Sequence, residues 1–106
     1  MKWNGCATTF DLAPGVEREY ERRHAEVWPE MLAALKEAGF SNYSLFRRGR
    51  EVIAYAECEP TVEAAMTHLE ATDVNARWST YIRSIMTRTV DADGKFFTVA
   101  EIWHLD

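Results

Sequence analysis

Phe40-Ser41-Asn42-Tyr43-Ser44-Leu45-Phe46-Arg47 and Glu51-Val52-Ile53-Ala54-Tyr55-Ala56-Glu57-Cys58-Glu59 are two short runs rich in aromatic and aliphatic residues, joined by Arg48-Gly49-Arg50. A glycine in so short a link supplies the positive φ of a hairpin turn, so the two runs are expected to pair as antiparallel strands. Upstream of the hairpin the period changes. Val16, Tyr20, Val27, Met31 and Leu35 fall on one helical face, with Glu17, Glu19, Glu21, Arg22 and Glu26 on the others, which predicts a helix from Val16 to about Ala38. Pro29 lacks a backbone donor and crowds the preceding turn, so a kink or break is expected near Trp28, with Pro29 opening a second segment and Gly39 closing it.

Further upstream, residues 2–12 carry Trp3, Cys6, Thr8, Thr9, Phe10 and Leu12 before Pro14-Gly15, the pattern of a strand ended by a turn. Downstream, Pro60-Thr61 opens a second helical region. Val62, Ala65, Met66 and Leu69 form one stripe, and Val74, Trp78, Tyr81, Ile82 and Ile85 form another. A bend is expected near Thr72, with Thr72 or Asp73 capping the later segment. Residues 87–95, with Asp93-Gly94, read as a loop, and residues 96–106 alternate as a final strand.

The resulting order is βαββαβ, an α+β class in which two helices cover one face of a four-stranded antiparallel sheet. The other face is left open. It would carry Ile53 and Tyr55, or Val99 and Trp103, depending on a register that a one-residue slip inverts. Such a face is most simply shared with a second copy of the chain.

The chain has 106 residues, 47% of them hydrophobic and 27% charged, which fits one soluble domain spanning 1–106 with no second core. Twelve Lys and Arg against 17 Asp and Glu give a net charge of −5, so no basic field exists to gather nucleic acid or anionic lipid. No apolar run approaches the roughly 18 residues of a membrane span. The first residues, Met1-Lys2-Trp3-Asn4-Gly5, lack the apolar stretch of a secretory signal, and a cytoplasmic protein is expected. Cys6 and Cys58 lie far apart without metal-type spacing and are expected as reduced thiols.

His24 is the first candidate for chemistry. It lies about 40° from Tyr20 around the helix, on the same side as Val16, Val27 and Met31. The plain alternative is a core histidine satisfied by its neighbours. The functional reading is an imidazole able to give and take protons near neutral pH, with a tyrosine one turn earlier to bind the same ligand. His24, His68 and His104 fall on three separate elements, so no metal site is expected. Neither a nucleophile elbow nor a phosphate-binding glycine loop can be drawn. Four Trp and four Tyr are amphipathic rings that suit the C–H faces and hydroxyl rims of a sugar. Glu57 and Glu101 add strand carboxylates, more simply solvated or paired than catalytic.

Tyr20-Glu21-Arg22-Arg23-His24, Trp28-Pro29-Glu30, Gly39, Asn42-Tyr43, Glu57, Thr72-Asp73-Val74 and Arg77-Trp78 together resemble the L-rhamnose mutarotase family, in order and nearly end to end. The resemblance implies a dimeric ferredoxin-like fold of the α/β-barrel type, and a cofactor-free enzyme that interconverts the α and β anomers of L-rhamnose. Position by position, His24 matches the family's proton donor, Tyr20 and Tyr43 its substrate-binding tyrosines, and Trp78 the first of two adjacent binding tryptophans. Ser79 stands in place of the second, so L-fucose or another 6-deoxy hexose joins L-rhamnose as an expected substrate. The partner base is left open among Tyr20, a carboxylate such as Glu57, and bound water.

Three other readings compete. An RNA-recognition module shares the βαββαβ order but wants a basic, glycine-containing third strand, whereas Glu51–Glu59 carries three glutamates and one aromatic. A different enzyme on the same dimeric barrel, such as a small oxygenase or a lactone isomerase, is separated by assay on a panel of sugars. A non-catalytic sugar-binding protein would be stabilised by sugar without accelerating anomer exchange.

Overall fold

A computed structural model describes residues 4–106; Lys2 and Trp3, assigned above to the first strand, lie outside the described residues. In chain order the elements are β1 (Gly5–Leu12), α1 (Glu17–Ala25), α2 (Pro29–Ala38), β2 (Phe40–Arg48), β3 (Glu51–Cys58), α3 (Val62–Glu70), α4 (Asp73–Arg83), β4 (Met86–Arg88) and β5 (Phe97–Val99). The sheet runs β2-β3-β1-β4, and β5 also pairs with β1; every pairing is antiparallel. This is the expected α+β path, with each of the two helical regions broken into a pair.

The breaks fall where the backbone chemistry requires them. Trp28 is extended (φ −59°, ψ 135°) and Pro29 opens α2, where its missing N–H would have had no partner in any case. Thr72 is also extended and accepts a hydrogen bond from the Asn75 N–H at 3.3 Å, starting α4 as a capped helix. Gly39 ends α2 at φ +106°, and a Cβ there would run into the carbonyl oxygen of Glu59, so both conformation and space demand glycine.

The register left open by the sequence is now fixed. Val52, Ala54, Ala56 and Cys58 of β3 are buried beneath the helices, as are Thr8 and Leu12 of β1. Ile53 and Tyr55 therefore lie on the open face, where Thr9 pairs with Ile53 and Ala7 with Tyr55. Val99, opposite Ala7, joins them, and so does Phe46, opposite Ile53 and 58% exposed. Beneath the helices, Leu12, Met31, Val52, Leu69, Trp78 and Ile82 belong to one core cluster. Cys6 and Cys58 are free thiols.

Two expectations at the C-terminal end need correction. The segment 87–95 is not wholly a loop, because Met86–Arg88 forms β4 against the end of β1, with Arg88 bonded to Asp11 at 2.7 Å. The final strand is Phe97–Val99 rather than 96–106, and residues 100–106 have no regular structure. The reason lies in the ladder. Val99 sits opposite Ala7, and β1 begins at Gly5, so residues beyond 101 run past the end of their partner strand. Trp103 therefore lies in this tail, 76% exposed, instead of on the sheet.

Candidate functional site

Between the helices and the covered face of the sheet lies a cavity of about 640 Å³, within the usual ~300–1,000 Å³ of small-molecule sites. Tyr20, His24, Tyr43, Trp78 and Ser79 all border it. A second hollow of about 280 Å³, lined by Glu21, Phe46 and Arg47 among others, meets the first at Tyr20 and His24. The sequence candidates, drawn from α1, β2 and α4, thus converge on one space.

His24 sits half-buried in the last turn of α1, and its Nδ1 lies 3.1 Å from the carbonyl oxygen of Tyr20. A carbonyl can only accept, so Nδ1 carries the proton and Nε2 keeps its lone pair in the neutral ring. Burial lowers the pKa of the imidazole from its ordinary 6.5, only partly offset by the bond to the Tyr20 backbone. At neutral pH the ring is therefore an uncharged acceptor beside an open space.

Its orientation is held by aromatic packing. The His24 ring meets Trp78 edge-on at 5.5 Å and tilts over Tyr20 at 4.4 Å. Trp78 is backed by Trp28 at 5.1 Å, which stacks on Tyr81 at 5.5 Å. Arg23 ties α1 to α4. It donates to the Tyr81 carbonyl and to Ser84 Oγ, lies 4.2 Å from the Tyr81 ring centre, and is held from its own helix by Glu19. The helix carrying His24 and the helix carrying Trp78 are thereby fixed together.

The two tyrosines present hydroxyl groups that stay protonated. Burial, then the neighbouring Tyr43, pushes the pKa of Tyr20 well above the ordinary phenol value. Tyr43 is raised by burial as well, with Cys6 and Cys58 adding to it. Tyr43 keeps 47% of its surface and borders the cavity. Tyr43 reaches the cavity through a bulge. Counting alternately from Phe40 would place it on the open face, but the register shifts between Ser41 and Ser44, and Asn42 takes φ +45°. Asn42 is also held by its Nδ2 donating to Glu57 at 2.8 Å.

Glu57 does not join the site. It points to the open face, where it accepts hydrogen bonds from Asn42 and from the Tyr55 hydroxyl at 2.8 Å. Sequence reasoning missed Asn75 on α4, and Thr8 and Thr98 on the sheet, all of which border the cavity. Period-two alternation from Cys6 marks Thr8, and four-residue spacing from Ser79 marks Asn75. Arg23 and Trp28 stand in the stretches that carry the family resemblance and Tyr81 on an apolar stripe, but nothing in the sequence marked the three as supports of the site. Among the described residues no cluster of three His, Cys, Asp or Glu could hold a metal ion, and no helix is long and apolar enough to cross a membrane.

A family model described as L-rhamnose mutarotase matches residues 6–105. The chain belongs to the L-rhamnose mutarotase family. The L-rhamnose mutarotase of Oceanobacillus iheyensis is 33% identical over the whole of both chains. That of Acidiphilium cryptum is 36% identical, covering 93% of this chain and 95% of its own. The crystal structure of an L-rhamnose mutarotase from Formosa agariphila superposes with a TM-score of 0.77 over 97% of this chain and 99% of that one, at 22% identity, a likeness of fold. The mutarotase family match runs from Cys6 on β1 past Thr98 on β5, and so takes in every element that lines the cavity.

Proposed function

We propose that the chain is a cytoplasmic, homodimeric mutarotase that interconverts the α and β anomers of L-rhamnose or a closely related 6-deoxy hexose, with His24 as its catalytic group. The observation that carries this reading is the neutral imidazole of His24, its Nδ1 tied to the helix and its Nε2 unspent, bordering a cavity of sugar-binding size in a member of this family.

Opening a pyranose moves one proton from the anomeric oxygen to the ring oxygen as the bond from C1 to the ring oxygen breaks. Both oxygens are bonded to C1, so a single nitrogen can take the first proton and deliver it to the second. Nε2 of His24 accepts from the anomeric hydroxyl and, as imidazolium, donates to the ring oxygen. The aldehyde then rotates, and the steps reverse on its other face. No separate partner base is needed. Tyr20 is held protonated and serves as a donor, and Glu57 lies on the opposite side of the sheet. The hydroxyls of Tyr20 and Tyr43 hold sugar oxygens, Trp78 supplies an apolar wall, and Ser79 widens the site where the family pattern has a second tryptophan. The chemistry calls on no cofactor, since only a proton is relocated.

The homodimer reading is supported by the open face, where Phe46, Ile53, Tyr55 and Val99 give an apolar surface with no cover from the same chain's helices.

Two-dimensional exchange NMR on L-rhamnose, L-fucose and D-glucose tests the reaction. Anomer cross-peaks on L-rhamnose that build up faster with the protein than without it are the expected outcome, with D-glucose left at its spontaneous rate. Thermal stabilisation by L-rhamnose without faster exchange would instead mark a non-catalytic binding protein.

A further inference from the structure

Of the four helices, α1 is the one least secured by burial. Tyr20 is its single buried residue, whereas α2 and α4 bury three residues each and α3 two. His24 stands in the last turn of this helix, just before the chain breaks at Trp28, and helix ends fray unless something holds them. Glu21 meets Arg47 of β2 at 3.3 Å, but with 58% and 30% of the two side chains exposed such a pair contributes little. Arg23 is placed differently, with only 14% of its side chain exposed. Its Nη1 donates to the Tyr81 carbonyl and, at 3.1 Å, to Ser84 Oγ, while the guanidinium lies 4.2 Å from the Tyr81 ring centre. Tyr81 belongs to the last turn of α4, where carbonyls lack helical partners and the negative end of the helix favours a cation. Glu19, one turn back on α1, accepts from Nε at 2.7 Å and sets the plane of the fork.

We infer that Arg23 is a positioning residue for the reaction, which acts through His24 by fixing the last turn of α1 on α4, so that the imidazole is held edge-on to Trp78. This role rests on the mutarotase reading, in which Nε2 of His24 must meet two oxygens of one sugar. Arg23 itself borders neither hollow, so its effect is carried by the next residue in the chain, whose ring lies 5.5 Å from that of Trp78. A displacement of about 1 Å at a reacting group costs on the order of 10²-fold in rate. Without Arg23 the Tyr81 carbonyl keeps its bond from Ser84 at 2.8 Å, so α4 retains its own end and what is lost is the tie to α1. The bonds from Arg22 and Arg23 hold the Glu19 carboxyl down at about 2, so the tie stays charged over the whole range in which His24 titrates.

The test compares the native chain with Arg23→Met, which keeps the apolar stem without the donors, and Arg23→Lys, which keeps a charge and a donor without the fork. For each, circular dichroism checks the fold, saturation-transfer NMR gives kcat and KM for L-rhamnose anomer exchange, and the ring signals of His24 report its place beside Trp78. Arg23→Met is expected to lower kcat by about 10- to 100-fold with KM nearly unchanged, and to move the His24 signals. Arg23→Lys is expected to recover part of both. Native kcat in folded Arg23→Met overturns the role, and so does a fall in kcat/KM that comes from KM alone with the His24 signals unmoved. If Arg23→Met does not fold, Arg23→Lys decides: an intermediate kcat with displaced His24 signals is expected, and a native kcat overturns the role. No acceleration by the native chain overturns the mutarotase reading instead. The His24 signals then still report on Arg23, and signals unmoved in both variants would show that it does not hold the imidazole.

Discussion

Replacing His24 by alanine is expected to slow enzyme-driven anomer exchange on L-rhamnose by about 10² to 10⁴, the usual contribution of a positioned acid–base group. The effect belongs to proton transfer because His24 is the only imidazole that borders the cavity among the described residues. Tyr20 and Tyr43 are both held in the protonated form, and Glu57 faces the other side of the sheet. His24→Gln separates chemistry from packing. It keeps a polar side chain of similar reach but has no titratable nitrogen, so its rate is expected to fall as far as that of the alanine variant. The same saturation-transfer measurement reads both. Circular dichroism is expected to show the native fold, since His24 is only half-buried and lies in the last turn of its helix. Exchange at the native rate in either folded variant would remove His24 from the mechanism.

The second large effect is expected at the open face. Ile53 lies there with Phe46 opposite it on β2 and Thr9 on β1, at the middle of the uncovered sheet. If a second copy covers this face, Ile53→Glu places an unpaired carboxylate in an apolar interface, at a cost of about 3–5 kcal/mol. That corresponds to roughly a 10²- to 4 × 10³-fold weaker association. In sedimentation equilibrium the native chain is expected at twice the chain mass and the variant at the chain mass. The fold of each subunit should survive, because the buried side of β3 is formed by Val52, Ala54, Ala56 and Cys58. A native chain that sediments as a monomer, or a variant that still pairs, would contradict this use of the face.

Much of the architecture was legible because it rests on local chemistry. Pro29 lacks the donor that a continuous helix needs, Thr72 offers a capping oxygen, and Gly49 takes φ +59° in the hairpin. Each of these shapes the chain through its own backbone. The register of β3 was not legible, because Val52 and Ile53 are equally apolar and only the packing of the helices decides which one is buried. The short β4 was missed, and β5 was expected too long, for a related reason. Both pair along β1, so the extent of each is limited by the length and bulge of a strand distant in sequence. In the site, Tyr20 and His24 could be placed together because four residues on a helix bring side chains to one face. The route of Tyr43 into the cavity could not be foreseen. It depends on Asn42 adopting a left-handed conformation and inverting the alternation of β2, which the strand pattern conceals. The strut formed by Arg23 was hidden too, because its partners Tyr81 and Ser84 are brought to it only by the packing of α1 on α4.

The most direct test follows the imidazole itself. The ring signals of His24 can be titrated by NMR while kcat/KM for L-rhamnose anomer exchange is measured over the same pH range. Burial favours the neutral ring, so its midpoint is expected below the ordinary 6.5. The reaction begins with neutral Nε2 accepting a proton, so kcat/KM should rise with pH through that same midpoint and then level off. A midpoint at or above 6.5, or a rate that does not follow the titration of His24, would contradict the account.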